Sequence, residues 1–561
     1  MSIRLILEEY LGMMKESGEL DAFLPELLTA MDHAILSEPQ RGVRQFGVDL
    51  VSRGPDGSGA QSLHLWILKS GDIDRASWNS GNQSIRSALV EIEDVYLRTH
   101  VPPAEAALPT VVHILTNGDF RQEVDLEISQ YLHTFCVKTG ARTERENGSV
   151  LARWTEQFLV DEHVLPNEFR SLFRKTLAMV ENPDTSYAQA RALIEKLLTN
   201  SFEGSDAARR KGRLRALRAV LVANKVLIRW AENAGNLDSA YRACEFALLK
   251  GWCFIAEINL WDDKDVRQVF AGLFGDFLST SAAFCSKLEP YYTTENAFAA
   301  FYQDNLLVVD RVFEELGRLG LLACAYRLQI KDGTGALGAR RLADRIVALL
   351  ESHAVSGSPC FDRQSVDISL AMLGLLAGGR SDAAIAWLGA LVKRLEIAKK
   401  IGRFTPISST SFEDLVAVRS GAEPETGVTP FATSTLVPIL GIWATMLRHD
   451  AAWEHLANIV APAFSETTFN LWTPDDTYGA VLASEVSLGA SGYADAFTEL
   501  PKDKSKFQSM LGESPQGVPN IDSIDFVARG WPWLGLLASR HWKLQVSHSL
   551  IAMLVDQIAA S

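Results

Sequence analysis

The stretch FGVDLVSRGPDGSGAQSLHLWILKS, residues 46–70, places Asp49 at the head of one apolar run and Lys69 at the tail of the next, with a polar turn between. Paired as an antiparallel hairpin, two such runs bring their turn-distal ends side by side. The carboxylate and the ammonium then reach one small volume. A carboxylate there binds a hard divalent cation through oxygen. A lysine beside it orients or deprotonates an attacking water and offsets charge on a phosphate. Without chemistry, the same two residues make an ordinary surface ion pair, worth ~0–1 kcal/mol. Upstream, Glu26 on a predicted helix over 23–35 is placed to supply a second carboxylate. Downstream, Gln83 and Arg86 lie three apart at the start of the next predicted helix, on one face, within reach of a scissile phosphate.

The elements that must position these residues follow from hydrophobic spacing. Segments 3–14 and 22–35 have helical spacing, 46–51 and 63–68 read as strands, and 82–97 reads as a helix. Pro102-Pro103 and residues 104–108 form a connector. TVVHILT, residues 110–116, is a buried-strand pattern ended by Asn117-Gly118, and a helix is predicted over 122–139. The order helix–strand–strand–helix–strand–helix predicts a mixed α/β sheet flanked by helices.

Within that order, Glu26 on the first helix, Gly47-Val48-Asp49, a strand ending Ile67-Leu68-Lys69 and Gln83 on the following helix resemble the PD-(D/E)xK nucleases. The likeness is to their restriction-endonuclease-like branch, typified by Mrr-type enzymes, and it covers residues 1–165. It implies a restriction-endonuclease-like α/β domain that hydrolyses phosphodiester bonds with Mg²⁺ or Mn²⁺. Asp49 would be a metal ligand, the main-chain carbonyl of Leu68 and the carboxylate of Glu26 further ligands, Lys69 the group beside the nucleophilic water, and Gln83 part of the same site. The family's strand carries Glu, Asp or Gln two residues before the lysine; here that place is Ile67, which neither binds metal nor accepts a proton. Glu26, Asp72, Glu91 or Glu93 is expected to stand in for it.

From residue 166 the pattern becomes helical almost throughout, which predicts a large all-α region, an irregular α-solenoid or a helical bundle. RWAENAGNLDSAYRACEFAL, residues 229–248, resembles a tetratricopeptide-type helical hairpin. A loop rich in Gly, Ser, Thr and Pro over 403–430 divides a repeat-like region, 166–402, from a C-terminal helical region, 431–561. RRKGRLRALR, residues 209–218, sets six cations in ten residues. Arg209, Arg210, Lys211 and Arg213, with Arg86, are the expected contacts to a nucleic-acid backbone. A solvated helix face or an interdomain salt-bridge surface is the plainer reading of that run.

A chain of 561 residues exceeds one core. Its net charge of −15 excludes a globally basic nucleic-acid binder but not a local basic channel. Six scattered cysteines without C-x-x-C fit a reduced, cytoplasmic protein. The first 20 residues carry early acids and read as neither signal nor transit peptide. FATSTLVPILGIWATML, residues 431–447, is shorter than the ~20 residues a membrane span needs and predicts a buried helix kinked at Pro438. His64, His113 and His133 lack the i, i+4 spacing of a helix-borne metal site. Trp78 is expected to anchor the core or a loop, and one of Trp66 and Ile67 to face the core. No G-x-x-x-x-G-K-[ST], no G-x-G-x-x-G after a strand and no G-x-S-x-G occurs. The expectation is a metal-dependent nuclease, acting on DNA foremost, whose helical region binds a protein partner or trigger. That layout resembles bacterial antiviral defence effectors. The competing expectation is an inactive nuclease-like domain in a scaffold or nucleic-acid-binding adaptor.

Overall fold

A computed structural model of the chain describes residues 3–12, 14–37, 46–57, 59–81, 84–159, 167–199, 206–301, 304–402, 405–427, 429–482, 492–512 and 520–560. The chain divides into two compact units, Met1–Ala240 and Tyr241–Ser561.

The first unit is built on a five-stranded sheet in the order β1-β2-β3-β4-β5. The strands are β1 Ala34–Ser37, β2 Leu50–Pro55, β3 Gln61–Lys69, β4 Thr110–Thr116 and β5 Arg142–Glu146. β2 runs antiparallel to both neighbours, whereas β3, β4 and β5 are mutually parallel. Parallel neighbours need crossovers. Helices α3 Arg75–Asn79 and α4 Ile85–Glu91 supply the first, and α5 Gln122–Thr139 the second. The period of two along β3 sends Leu63, Leu65 and Ile67 into one core with Ile114, Ile85, Leu89, Ile128 and Phe135. The opposite face is covered by α1 Ile3–Gly12, α2 Asp21–Ala30 and α6 Gly148–Trp154. Trp66 is buried on that side, and Trp78 is fully buried with its indole N–H on Glu127.

Several boundaries differ from the sequence reading for local reasons. The helix expected over 22–35 ends at Ala30, where Asp32 at φ 66° turns the chain into edge strand β1. β2 begins at Leu50 rather than at residue 46, because Phe46 and Gly47 are left-handed at φ 51° and 82°. A Cβ on Gly47 would lie 2.2 Å from the Ala88 carbonyl oxygen, so only glycine lets the chain cross α4 there. β5, RTERE, has no apolar run to announce it and is held through its register with β4. Helices α7 Asn167–Ala178, α8 Pro183–Leu198 and α9 Asp206–Asn233 complete the unit, α9 packing against α1, α7 and α8.

The second unit is mostly helical. Its centre is the helix Ser365–Ala377, buried along nearly its whole length against Asn305–Gln329. The two backbones touch at Gly320, where a Cβ would meet the Leu370 carbonyl oxygen at 2.1 Å. A three-stranded sheet, Thr433–Ser434, Thr468–Pro474 and Gly492–Phe497, interrupts the stretch expected to be helical throughout. The stretch 405–427 carries a helix, Phe412–Ser420, capped by Ser411. The helix Leu436–Met446 is buried as expected. Pro438 sits in its first turn, where a missing N–H breaks no bond. Among the described residues one helix, Lys264–Thr293, is long and apolar enough to cross a membrane; half of its most apolar window is buried within the protein.

Candidate active site

The site is assembled where β3 ends. Asp49 immediately precedes β2, and its N–H donates to the Trp66 carbonyl at 2.9 Å. Its Oδ2 accepts the Leu68 N–H at 2.7 Å. The side chain thereby extends the β2–β3 ladder by one rung, so the carboxyl is fixed by backbone geometry. Lys69 is the last residue of β3, and its Nζ donates to Glu16 Oε1 at 3.2 Å. Glu16 opens a single wide helical turn, Glu16–Leu20, between α1 and α2. The expected hairpin therefore does bring Asp49 and Lys69 to one end of the sheet, and the structure adds Glu16 from outside it.

Burial is the main influence on Asp49 and raises its pKa. The Leu68 N–H and the Lys69 ammonium act against it, while Glu16 and Asp21 raise it further. Two more carboxylates therefore stand close enough to be felt. Asp21 is the first residue of α2. Glu26 lies five positions on, roughly 140° around that helix.

Asn117 holds this end of the unit together. Its Nδ2 donates to the Leu11 and Met14 carbonyls, both at 2.7 Å, and its Oδ1 accepts the Gly71 N–H at 2.7 Å. One buried side chain thus ties the exit of α1, which leads to Glu16, to the loop that follows Lys69. The backbones there are in contact. A Cβ on Gly118 would lie 2.4 Å from Gly71, and one on Gly148 would lie 2.4 Å from the Asn117 carbonyl oxygen.

No family model, curated protein or solved structure matches this chain. The site is therefore read from its own geometry.

Ile67 is in the main core. Arg86 is engaged on α5, stacked over Tyr131 at 5.2 Å and 3.9 Å from Glu127. Gln83 lies outside the described residues. Asp72 pairs with Arg121 at 2.7 Å and Glu93 with Lys138 at 3.5 Å. Glu91 closes α4. Arg209, Arg210, Lys211 and Arg213 share α9; Arg209 pairs with Asp206, Arg210 is exposed and Arg213 half-buried. His64 and His113 meet on the sheet, whereas His133 is exposed on α5.

Among the described residues no group of three or more His, Cys, Asp or Glu side chains is gathered to hold a metal ion. Mg²⁺ asks for less, since one or two carboxylates and several waters suffice. Asp49 and Glu16, with the Leu68 carbonyl, are the oxygen donors that suit it. Sequence reasoning missed Glu16, Asp21 and Asn117. The available signal was ESGELD, an acid-rich connector between two amphipathic helices.

Proposed function

We propose that the first unit is a restriction-endonuclease-like, metal-dependent phosphodiester hydrolase acting on nucleic acid, with Glu16 standing in for the acid missing at Ile67. The carrying observation is that Lys69 bonds Glu16 at 3.2 Å at the same sheet end as Asp49. A mixed sheet with helices on both faces is the framework that reading requires. Bound Mg²⁺ or Mn²⁺ would supply Lewis acidity toward a phosphoryl oxygen, held by Asp49 and Glu16. Lys69 orients the attacking water and offsets negative charge on the phosphate. Asn117 fixes the loops carrying Glu16 and Lys69. The basic run on α9 belongs to the same compact unit and offers backbone contacts. The helical second unit is assigned to binding a protein partner or trigger, by analogy of layout alone.

A second reading, an inactive scaffold or adaptor, is favoured by a specific feature. The Lys69–Glu16 ion pair and the Asp49–Leu68 bond satisfy these groups without a ligand.

Cleavage of plasmid and single-stranded DNA with Mg²⁺ or Mn²⁺ separates the two. Wild type is expected to cut, with Asp49→Ala, Lys69→Ala and Glu16→Gln each reducing the rate by at least about 10²-fold. Cutting should strengthen as pH rises, because burial delays ionisation of Asp49. Cutting that survives in all three variants sinks the site. Wild type that binds DNA but stays inert with either metal supports the scaffold.

A further inference from the structure

The sheet face opposite the main core carries a second polar cluster, at the other end of β3. It stands roughly 16 Å along the strand from Lys69, beside the β2–β3 turn. A cavity of about 410 Å³ opens there, walled by His33, His64, Trp66, His113, Glu146 and Trp154. Glu146 is only 5% exposed.

Its protonation follows from the bonding once burial keeps the imidazoles neutral. His64 Nε2 lies 3.2 Å from the Gly54 carbonyl, an acceptor only, so it carries the proton. Neutral His64 therefore accepts at Nδ1, and His113 Nε2, 2.8 Å away, donates to it. Neutral His113 then has a lone pair at Nδ1, facing Glu146 Oε1 at 2.6 Å. That contact needs a proton, and Glu146 supplies it. Burial acts the same way on all three, pulling His64 to about 4 and His113 to about 3 and pushing Glu146 up to about 8. Glu146 is thus a neutral acid whose O–H points at His113. Its second oxygen, Oε2, is a carbonyl-type acceptor that is buried and takes no hydrogen bond among the described residues.

The surroundings select what could donate to it. Arg142 and Asp56 at the rim pair with each other, and exposed Glu144 stands beside them. With three neutral histidines inside, the charge around the cavity is negative, which disfavours phosphates and carboxylates. The walls are aromatic: Trp66 stacks on His113 at 3.8 Å and meets Trp154 edge-on at 6.4 Å and 85°. Trp154 and Phe158 are half-buried, leaving ring surface for a planar guest.

We propose that this cavity binds an uncharged nitrogen heterocycle of nucleobase size, which donates an exocyclic N–H to Glu146 Oε2 and lies against Trp154. The assignment does not rest on the reading of Asp49 and Lys69. It carries an unusual signature. In Glu146→Gln, the carboxamide N–H takes over the bond to His113 and its oxygen remains an acceptor, so the substitution preserves the site.

Titration of the full chain with adenosine, followed by tryptophan fluorescence, tests this. Wild type should show saturable quenching. N6,N6-dimethyladenosine, which lacks the donor, should bind about tenfold more weakly, the loss of one buried hydrogen bond. Glu146→Gln should stay within about threefold of wild type, while Glu146→Leu loses at least about tenfold. Trp154→Ala, which leaves the histidine chain intact, should also weaken binding and decides the matter if Glu146→Leu fails to fold. No saturable quenching by adenosine or cytidine at millimolar concentration overturns the proposal. So does equal binding of the dimethylated probe, or full affinity in Trp154→Ala.

Discussion

Single residues here do more than their types announce. Asp49 was legible as a candidate because it heads an apolar run, yet its carboxyl also serves the backbone as a ladder rung through the Leu68 N–H. Glu16 was not legible, because nothing in a connector between helices says which strand end it will reach. The histidines show the same gap. Spacing alone argued only against a helix-borne metal site, while the fold gathers His33, His64 and His113 beside Glu146. This cluster gives unit one a defined pH response. Burial first, and then histidine–histidine repulsion, hold His33 and His64 near 4, and burial holds His113 near 3, against an ordinary 6.5. Their folded values are depressed, so the folded state binds fewer protons and stability is lost as pH falls below 6.5. Glu146 has the opposite sign. Its folded value is raised from 4.5 to about 8, so the unfolded state binds fewer protons and stability falls as pH rises across that window. Three histidines outweigh one glutamate below 6.5, which places the stability maximum near pH 6.5. From there to pH 8 the loss should be about 2 kcal/mol, at ~1.4 kcal/mol per unit. Thermal denaturation against pH should show this maximum, with Glu146→Gln flattening the alkaline limb; an unchanged alkaline limb in that variant would contradict a buried neutral acid.

Elements were easier to read where pattern and position agreed. β3, β4 and α5 emerged near their predicted bounds because their apolar residues follow strand or helix periods. β1 and β5 escaped notice: AILS is short, and RTERE is polar in every position, as an edge strand can be. The connection of elements at the candidate site rests on two small features. Asn117→Ala removes three hydrogen bonds, two of them buried, and leaves two carbonyls and an N–H to find other partners. Denaturant unfolding should show a loss of about 2–4 kcal/mol, together with loss of any cleavage activity, because Glu16 and Lys69 are no longer held in register. Gly47→Ala forces a side chain into a left-handed φ and against the Ala88 carbonyl. A destabilisation of at least about 2 kcal/mol is expected, and a variant as stable as wild type would show that the entry to Asp49 can relax.

At the scale of the molecule, two units with separate cores carry different kinds of stabilisation. The second unit encloses a charged network. Glu245, 1% exposed, accepts from Arg540 at 2.5 Å, from His541 at 2.9 Å and from the Tyr241 hydroxyl at 2.5 Å. Burial alone would raise its pKa, but Arg540 and His541 outweigh burial and hold it at about 2. A depressed carboxylate stabilises the fold above its ordinary 4.5 and loses that contribution as pH falls toward 2. Arg540→Ala leaves the buried carboxylate with only His541 and the Tyr241 hydroxyl as partners and should cost about 3–5 kcal/mol. Calorimetry of the whole chain is expected to show that loss in one transition, with the pH response of Glu146 confined to the other. A single transition moved equally by both changes would mean the units unfold together.

The sequence by itself determined that a mixed α/β unit precedes a mostly helical one, and that Asp49 and Lys69 stand on adjoining strand ends. Those facts follow from local periodicity and from hairpin geometry, which short stretches of chain encode. Only the tertiary structure decided that Glu16 meets Lys69 across 53 positions, that Asn117 ties α1 to the β3 exit, and that Glu146 faces His113 with one oxygen left over. Such meetings depend on which strands pair and how helices lie across them. No spacing within a single element records that information.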